Sequence, residues 1–306
     1  MTPRTLLLTG ATGFIGRRLA PELAGAWRVI QASRTASGAE SVRLDLEDGD
    51  SIRRVFETAR PAAVVHAGAL ALPDDCERDP GLARRVNLDA VRTLAGLCGE
   101  AGARLVHFST DLVFDGEKGW YDEDDAASPL CVYARLKLGA EEAVLSLAPG
   151  AVILRVASVY GRPLGTRPCF IDELRQALSK GEPIAAFVDQ WRSPTCGDQL
   201  PAVVLLCLAD PDLEGVFHWG GAQRSSRFET ALALCRAFGY DEELVRPARA
   251  DDKRFLAARP RDTSLDSSRL SAALGLAPLS LEEGFARLKL KPALASRNAA
   301  AAGPGA

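Results

Sequence analysis

Tyr133 and Lys137 stand four residues apart, a spacing that sets both side chains on one face of a helix. A phenol, with an ordinary pKa of about 10, is a poor acid–base group at neutral pH. A neighbouring ammonium favours the phenolate and brings that pKa towards the working range, so the pair suits proton transfer at a substrate oxygen. Near the start of the chain, Thr9-Gly10-Ala11-Thr12-Gly13-Phe14-Ile15-Gly16 carries a Gly-x-x-Gly-x-x-Gly pattern. The first glycine permits a tight turn, the second lets backbone amides approach a pyrophosphate, and the third packs helix against strand. The helix N-terminus that follows favours the anion. The pattern predicts a dinucleotide site, with Gly10, Thr12, Gly13, Phe14, Ile15 and Gly16 as its cofactor-binding candidates.

The end of the second strand selects the cofactor. A carboxylate there would bind the ribose 2′-hydroxyl of NAD, and a cation would accept the 2′-phosphate of NADP. The segment reads Gln31-Ala32-Ser33-Arg34. It has no carboxylate, so Ser33 and Arg34 favour NADP(H) over NAD(H). Asp45 and Leu46 are expected near the adenine, and Ala67, Gly68 and Ala69 against the nucleotide.

These residues need elements to position them. Short apolar runs at 5–8, 29–32, 42–44, 63–67, 104–109 and 152–156 read as buried strands. Helical spacing occupies 14–24, 51–59, 82–98 and 132–147, with Asp50 or Ser51 capping the second of these. The alternation predicts an α/β fold, a Rossmann-type doubly wound parallel sheet covered on both faces. Beyond residue 160 prolines break the pattern, and helices are expected at 170–179, 198–208 and 228–238. Residues 1–160 are therefore expected to be mainly the NADP-binding domain, and 161–291 mainly a smaller C-terminal α/β substrate lobe, partly interleaved with the first. The Ala-rich stretch 292–306 reads as a flexible tail.

The run His107-Phe108-Ser109-Thr110-Asp111-Leu112-Val113-Phe114-Asp115-Gly116 is followed by Ser128-Pro129-Leu130 and Tyr133-Ala134-Arg135-Leu136-Lys137. It resembles the dTDP-4-dehydrorhamnose reductases, extended short-chain dehydrogenases/reductases, and the related regulatory beta subunit of methionine adenosyltransferase. The resemblance extends to Arg259-Pro260-Arg261-Asp262. It implies a catalytic set of Thr110, Tyr133 and Lys137. Thr110 would donate to the substrate carbonyl, Tyr133 would supply the proton, and Lys137 would also hold the nicotinamide ribose, with Tyr133 beside it. Asp111, Leu112, Ser158 and Arg192 would face a nucleotide-sugar substrate. Leu112 stands where the reductases usually have an aromatic, and Ser158 where they have a tryptophan. Gly215-Val216-Phe217-His218-Trp219 and the segment 189–195 resemble the regulatory subunit instead. His218 and Trp219 also read as a half-buried strand, and Arg192 as either a phosphate contact or a surface charge. An NADP-binding regulatory subunit and a sugar-nucleotide epimerase or dehydratase stay open beside the reductase.

Composition restricts the partners. Of 306 residues 47% are hydrophobic and 25% charged, with a net charge of −3, which suits a globular domain and not a phosphate-backbone binder. The seven scattered cysteines form no Cys-x-x-Cys pair and read as buried thiols in a reducing compartment. No metal site is expected, because the three histidines are scattered and the acidic run 122–125 reads as a solvated loop. No apolar stretch reaches the roughly 20 residues that span a bilayer, and the first residues lack the pattern of a signal peptide. A cytoplasmic protein is expected, with neither nucleic acid nor membrane as partner. The relatives allow a homodimer.

Overall fold

The computed structural model describes residues 3–35, 38–165, 168–252 and 255–290, so the tail expected from 292 lies outside the described residues. The strands are β1 (Thr5–Thr9), β2 (Arg28–Ser33), β3 (Ser41–Arg43), β4 (Ala63–His66), β5 (Arg104–Thr110), β6 (Val152–Val156), β7 (Ile184–Phe187), β8 (Trp191–Arg192), β9 (Gly215–Trp219), β10 (Ser225–Ser226) and β11 (Val245–Ala248). Seven form one sheet, in the order β3-β2-β1-β4-β5-β6-β9, and every pairing in it is parallel. Parallel strands need crossovers, and the crossovers cover both faces with helices. This is a doubly wound, Rossmann-type α/β fold.

The helices are α1 (Gly16–Leu23), α2 (Gly49–Ala59), α3 (Pro73–Arg78), α4 (Pro80–Arg84), α5 (Ala90–Ala101), α6 (Val132–Leu147), α7 (Phe170–Ser179), α8 (Leu200–Ala209), α9 (Arg227–Phe238), α10 (Ser268–Leu274) and α11 (Leu281–Leu290). Alternate strand residues point to opposite faces. Leu6, Leu8, Val65, Val106 and Leu154 therefore pack with Leu19 of α1 and Val203 of α8. Leu7, Val64, Leu105 and Ile153 pack on the other side with Ile52 of α2, Leu94 of α5 and Val144 of α6. A third core joins α7, α9 and α11 through Ile171, Leu234 and Phe285. Strand β9 and helix α8 return from the second half of the chain to the main sheet and its cover.

Several sequence expectations change here. Asp48, not Asp50 or Ser51, caps α2; its carboxylate accepts the Asp50 amide, and the Ser51 hydroxyl accepts the amide of Asp45 instead. The first helix begins at Gly16 because 10–15 form the turn. The helix expected over 82–98 is not uniform: α4 passes through a π-helical segment, Arg85–Asp89, into α5. In the second half, a 3₁₀ turn (Gly197–Gln199) precedes α8. His218 and Trp219 are fully buried rather than half-buried. Helix α10 covers β9, Trp219 packs into the α1–α8 side, and His218 stacks edge-on against Phe114.

Gly10 has a φ of +69°, and a Cβ there would meet the Gly68 nitrogen at 2.5 Å. Gly10→Ala is expected to lower the midpoint of urea unfolding, with the left-handed φ alone costing about 1–3 kcal/mol. An unchanged midpoint would mean that the turn is slack.

Candidate active site

The carboxyl ends of the parallel strands carry the site, the edge where open α/β sheets bind ligands. A cavity of about 350 Å³ opens there. Ten of the predicted cofactor residues line it: Gly10, Thr12, Gly13, Ser33, Arg34, Asp45, Leu46, Ala67, Gly68 and Ala69. Phe14, Ile15 and Gly16 do not. Ile15 turns into the core, Phe14 lies under the Arg18 guanidinium at 3.8 Å, and Gly16 packs against the Gly10 carbonyl. A dinucleotide fits on two counts. Gly10 lets the turns after β1 and β4 approach more closely than a side chain on it would allow, leaving bare backbone at the floor. Arg34 is exposed at the mouth, and no acidic residue stands in 31–35.

Leu82 and Val86 also line this cavity, which the sequence reading missed. Their spacing of four on a helix was the available signal. Asn87 was missed too. It sits buried on the π segment, accepts the Leu70 amide at 2.9 Å and donates to the Leu70 carbonyl at 3.0 Å. It thereby pins the loop that forms one wall.

Thr110 ends β5, and Tyr133 and Lys137 come from the first turns of α6. All three are buried. The Thr110 side chain stands close enough to the Tyr133 phenol to pull its pKa down. The Lys137 ammonium donates to the Phe108 carbonyl at 2.6 Å and to Nε2 of His107 at 3.0 Å. The expectation that Lys137 lowers the Tyr133 pKa is therefore corrected. The ammonium turns towards β5, while burial, and then the charge of Asp111, push the phenol up. Burial brings Lys137 down to about 8 against the opposing pull of Glu141.

Asp111 is buried beside Thr110 and pairs with Arg192 at 3.3 Å. It also accepts from the hydroxyls of Thr263 at 2.5 Å and Thr110 at 3.2 Å. Arg192 is 5% exposed and donates to the Trp191, Pro260 and Arg261 carbonyls, so the surface-charge reading falls. With Ser158, Gln190 and Arg227 it lines a second cavity of about 140 Å³. The Gln190 side-chain nitrogen is buried without a hydrogen-bond partner, and Ser158 holds a left-handed φ of +40°. Leu112 lies outside this cavity and packs beside Tyr133, Cys76 and Cys131. Nor is the acidic run wholly solvated. Glu123 tucks inward, accepting the His218 amide at 2.8 Å and facing Arg269 at 3.4 Å.

The sequence profile described as the RmlD substrate binding domain matches residues 4–291. The chain belongs to this family. Among its relatives, dTDP-4-dehydrorhamnose reductase of Mycolicibacterium smegmatis is 36% identical over 278 residues, covering 90% of this chain and 81% of that protein. Methionine adenosyltransferase 2 subunit beta of Pongo abelii is 31% identical over 277 residues, covering 87% and 81%. Among solved structures, dTDP-4-dehydrorhamnose reductase of Bacillus anthracis in complex with NADP superimposes with a TM-score of 0.86 at 26% identity, covering 94% of this chain and 99% of that one. No helix among the described residues is long and apolar enough to cross a membrane.

In this RmlD-family chain the three histidines, scattered in sequence, gather on the α6 side of the sheet. Thr9, His66 and His107 are lateral neighbours in register across β1, β4 and β5, and the two imidazoles stack at 5.2 Å. His218 accepts from Arg155 at 3.3 Å and donates to the Tyr121 carbonyl at 3.0 Å. Burial lowers all three, His66 to about 3 and His218 to about 4, with Lys137 adding to the effect on His66 and His107 and Arg155 on His218. An unfolded histidine takes up its proton at about pH 6.5, so stability is full above that value and is lost as pH falls towards the folded pKa. Each histidine contributes up to about 1.4 kcal/mol per pH unit, about 4 for the three together. Urea unfolding between pH 7.5 and 5 should show that steep loss below pH 6.5. A flat midpoint would show the imidazoles free to protonate in the folded chain.

Proposed function

We propose that the chain is an NADP(H)-dependent reductase of a nucleotide-linked 4-keto sugar. One observation carries this reading. The cofactor-type cavity follows β1 to β4, Thr110 sits at the end of β5 with the buried Tyr133 phenol beside it, and Ser158 of the second cavity follows β6, all on one edge of the sheet. A bound nicotinamide supplies the hydride. The amides of 10–16 and the start of α1 would hold its pyrophosphate, Arg34 the 2′-phosphate, Leu46 and Ala67–Ala69 the adenosine, and Lys137 with Tyr133 the nicotinamide ribose.

The chain's own groups handle the oxygen and its proton. Thr110 donates to the carbonyl oxygen and steadies the charge that develops on it. Tyr133, kept protonated by its burial, then gives that oxygen its proton, and carbonyl becomes hydroxyl. The raised pKa keeps the proton on the phenol until hydride arrival makes the substrate oxygen an alkoxide, a base strong enough to take it. In the second cavity the Arg192 and Arg227 guanidiniums and the Gln190 amide match the diphosphate of a nucleotide sugar. Residues 161–291 thus serve mainly the substrate and 1–160 mainly the cofactor.

Arg34→Ala is expected to weaken NADPH binding about tenfold, with NADH unaffected, as loss of a charge-assisted contact would. Equal loss for both cofactors would refute the 2′-phosphate role. Nicotinamide fluorescence gives the affinities. Tyr133→Phe should retain NADPH and lose about 10²- to 10⁴-fold in turnover when dTDP-, UDP- and GDP-4-keto sugars are offered. NADPH binding by the wild type without turnover of any of these sugars would favour a regulatory subunit, the role suggested by the methionine adenosyltransferase relatives.

A further inference from the structure

Beneath the Tyr133–Lys137 face, α6 carries a third group in the same stripe. Glu141 follows Lys137 by one turn and is 2% exposed. Its carboxylate accepts from Nε and Nη2 of Arg155, the latter at 2.7 Å, and from the Ser109 hydroxyl. Ser109 immediately precedes Thr110 on β5, and Arg155 is its lateral neighbour on β6. One buried carboxylate thus joins the helix that carries Tyr133 and Lys137 to the strand that carries Thr110.

The groups facing Lys137 are few. His107 on β5 meets its ammonium directly, and His66 on β4 stacks behind His107. Tyr133 lies one turn before it on α6, and the Phe108 carbonyl is neutral. Arg155 on β6 reaches this cluster through Glu141. Glu141 is the carboxylate that opposes the burial of the Lys137 charge.

We infer that Glu141 is a positioning residue, fixing α6 against β5 and holding the charge on Lys137. The clamp explains why a buried ion pair sits here although apolar side chains would fill the space at lower desolvation cost. The inference rests on the proposed reductase reading for its catalytic consequence, and its electrostatic part can be read without turnover.

The chain has six lysines, so ¹³Cε-lysine NMR resolves their titrations, and Lys137→Arg identifies the resonance. In Glu141→Gln, the Lys137 midpoint should fall by about one pH unit, the effect of losing a nearby opposite charge. Turnover of the 4-keto sugar should fall about tenfold with KM for the sugar nearly unchanged, because the second cavity that takes its diphosphate is untouched. If Glu141→Gln does not fold, Glu141→Gln with Arg155→Met leaves no unpaired buried charge. Its midpoint should still fall, because the carboxylate acts on Lys137 more strongly than the guanidinium does. A Lys137 midpoint equal to that of the wild type in the folded variant overturns the inference. A shifted midpoint in a protein that turns over no sugar would uphold the electrostatic role of Glu141 and sink the reductase reading.

Discussion

The backbones of β1 and β4 converge at their carboxyl ends until Gly10 has no room for a side chain against the backbone of Ala67 and Gly68. Much of the cofactor side follows from that approach. It leaves bare backbone at the floor of the larger cavity, and it places the start of α1 against the space between the strands. It also needs a continuous sheet beneath it, which the apolar residues on both faces of β1, β4 and β5 hold in place.

The face under α6 departs from this apolar rule near the strand ends. Thr9, His66, His107, Ser109, Arg155 and His218 replace the aliphatic residues that precede them on the same face. Buried polar groups demand partners, and here nearly every one finds its partner on a different element. Lys137 and Glu141 bind β5 and β6 to α6, and His218 binds β9 to the loop at Tyr121. Apolar packing tolerates sliding; such hydrogen bonds tolerate little. The machinery therefore rests on a rigid polar layer, while the bulk of the sheet rests on hydrophobic contact.

The sequence made the sheet, its order of elements and the glycine turn legible, because period-2 and period-3.6 patterns and Gly spacing are local signals. Most of the residues expected at a cofactor line the larger cavity, since they sit just beyond strand ends. The misses share a physical origin in long-range pairing. Arg192 reads as a loop charge until the fold brings it to Asp111, 81 positions away in the chain numbering. His66, His107 and His218 look unrelated until β4, β5 and β9 enter one sheet. Asp48 competes with Asp50 and Ser51 as a cap on equal terms, and only the backbone path decides. The direction of the Tyr133 shift depended on where the Lys137 ammonium points, which spacing alone leaves open.

The π segment at Arg85–Asp89 divides one helical rod into two halves with different duties. Before it and on it, Leu82 and Val86 face the larger cavity; after it, Val91 and Leu94 face the core. A π turn accommodates one residue more than an α turn would. Removing that residue would rotate the first half by about 100° relative to the second, the angle of one α-helical step. Leu82 and Val86 would leave the cavity wall together, and Asn87 would lose the Leu70 loop. Chain length in this helix is thus under a tighter constraint than residue identity: apolar exchanges can be absorbed by the wall, whereas a single deletion dismantles it.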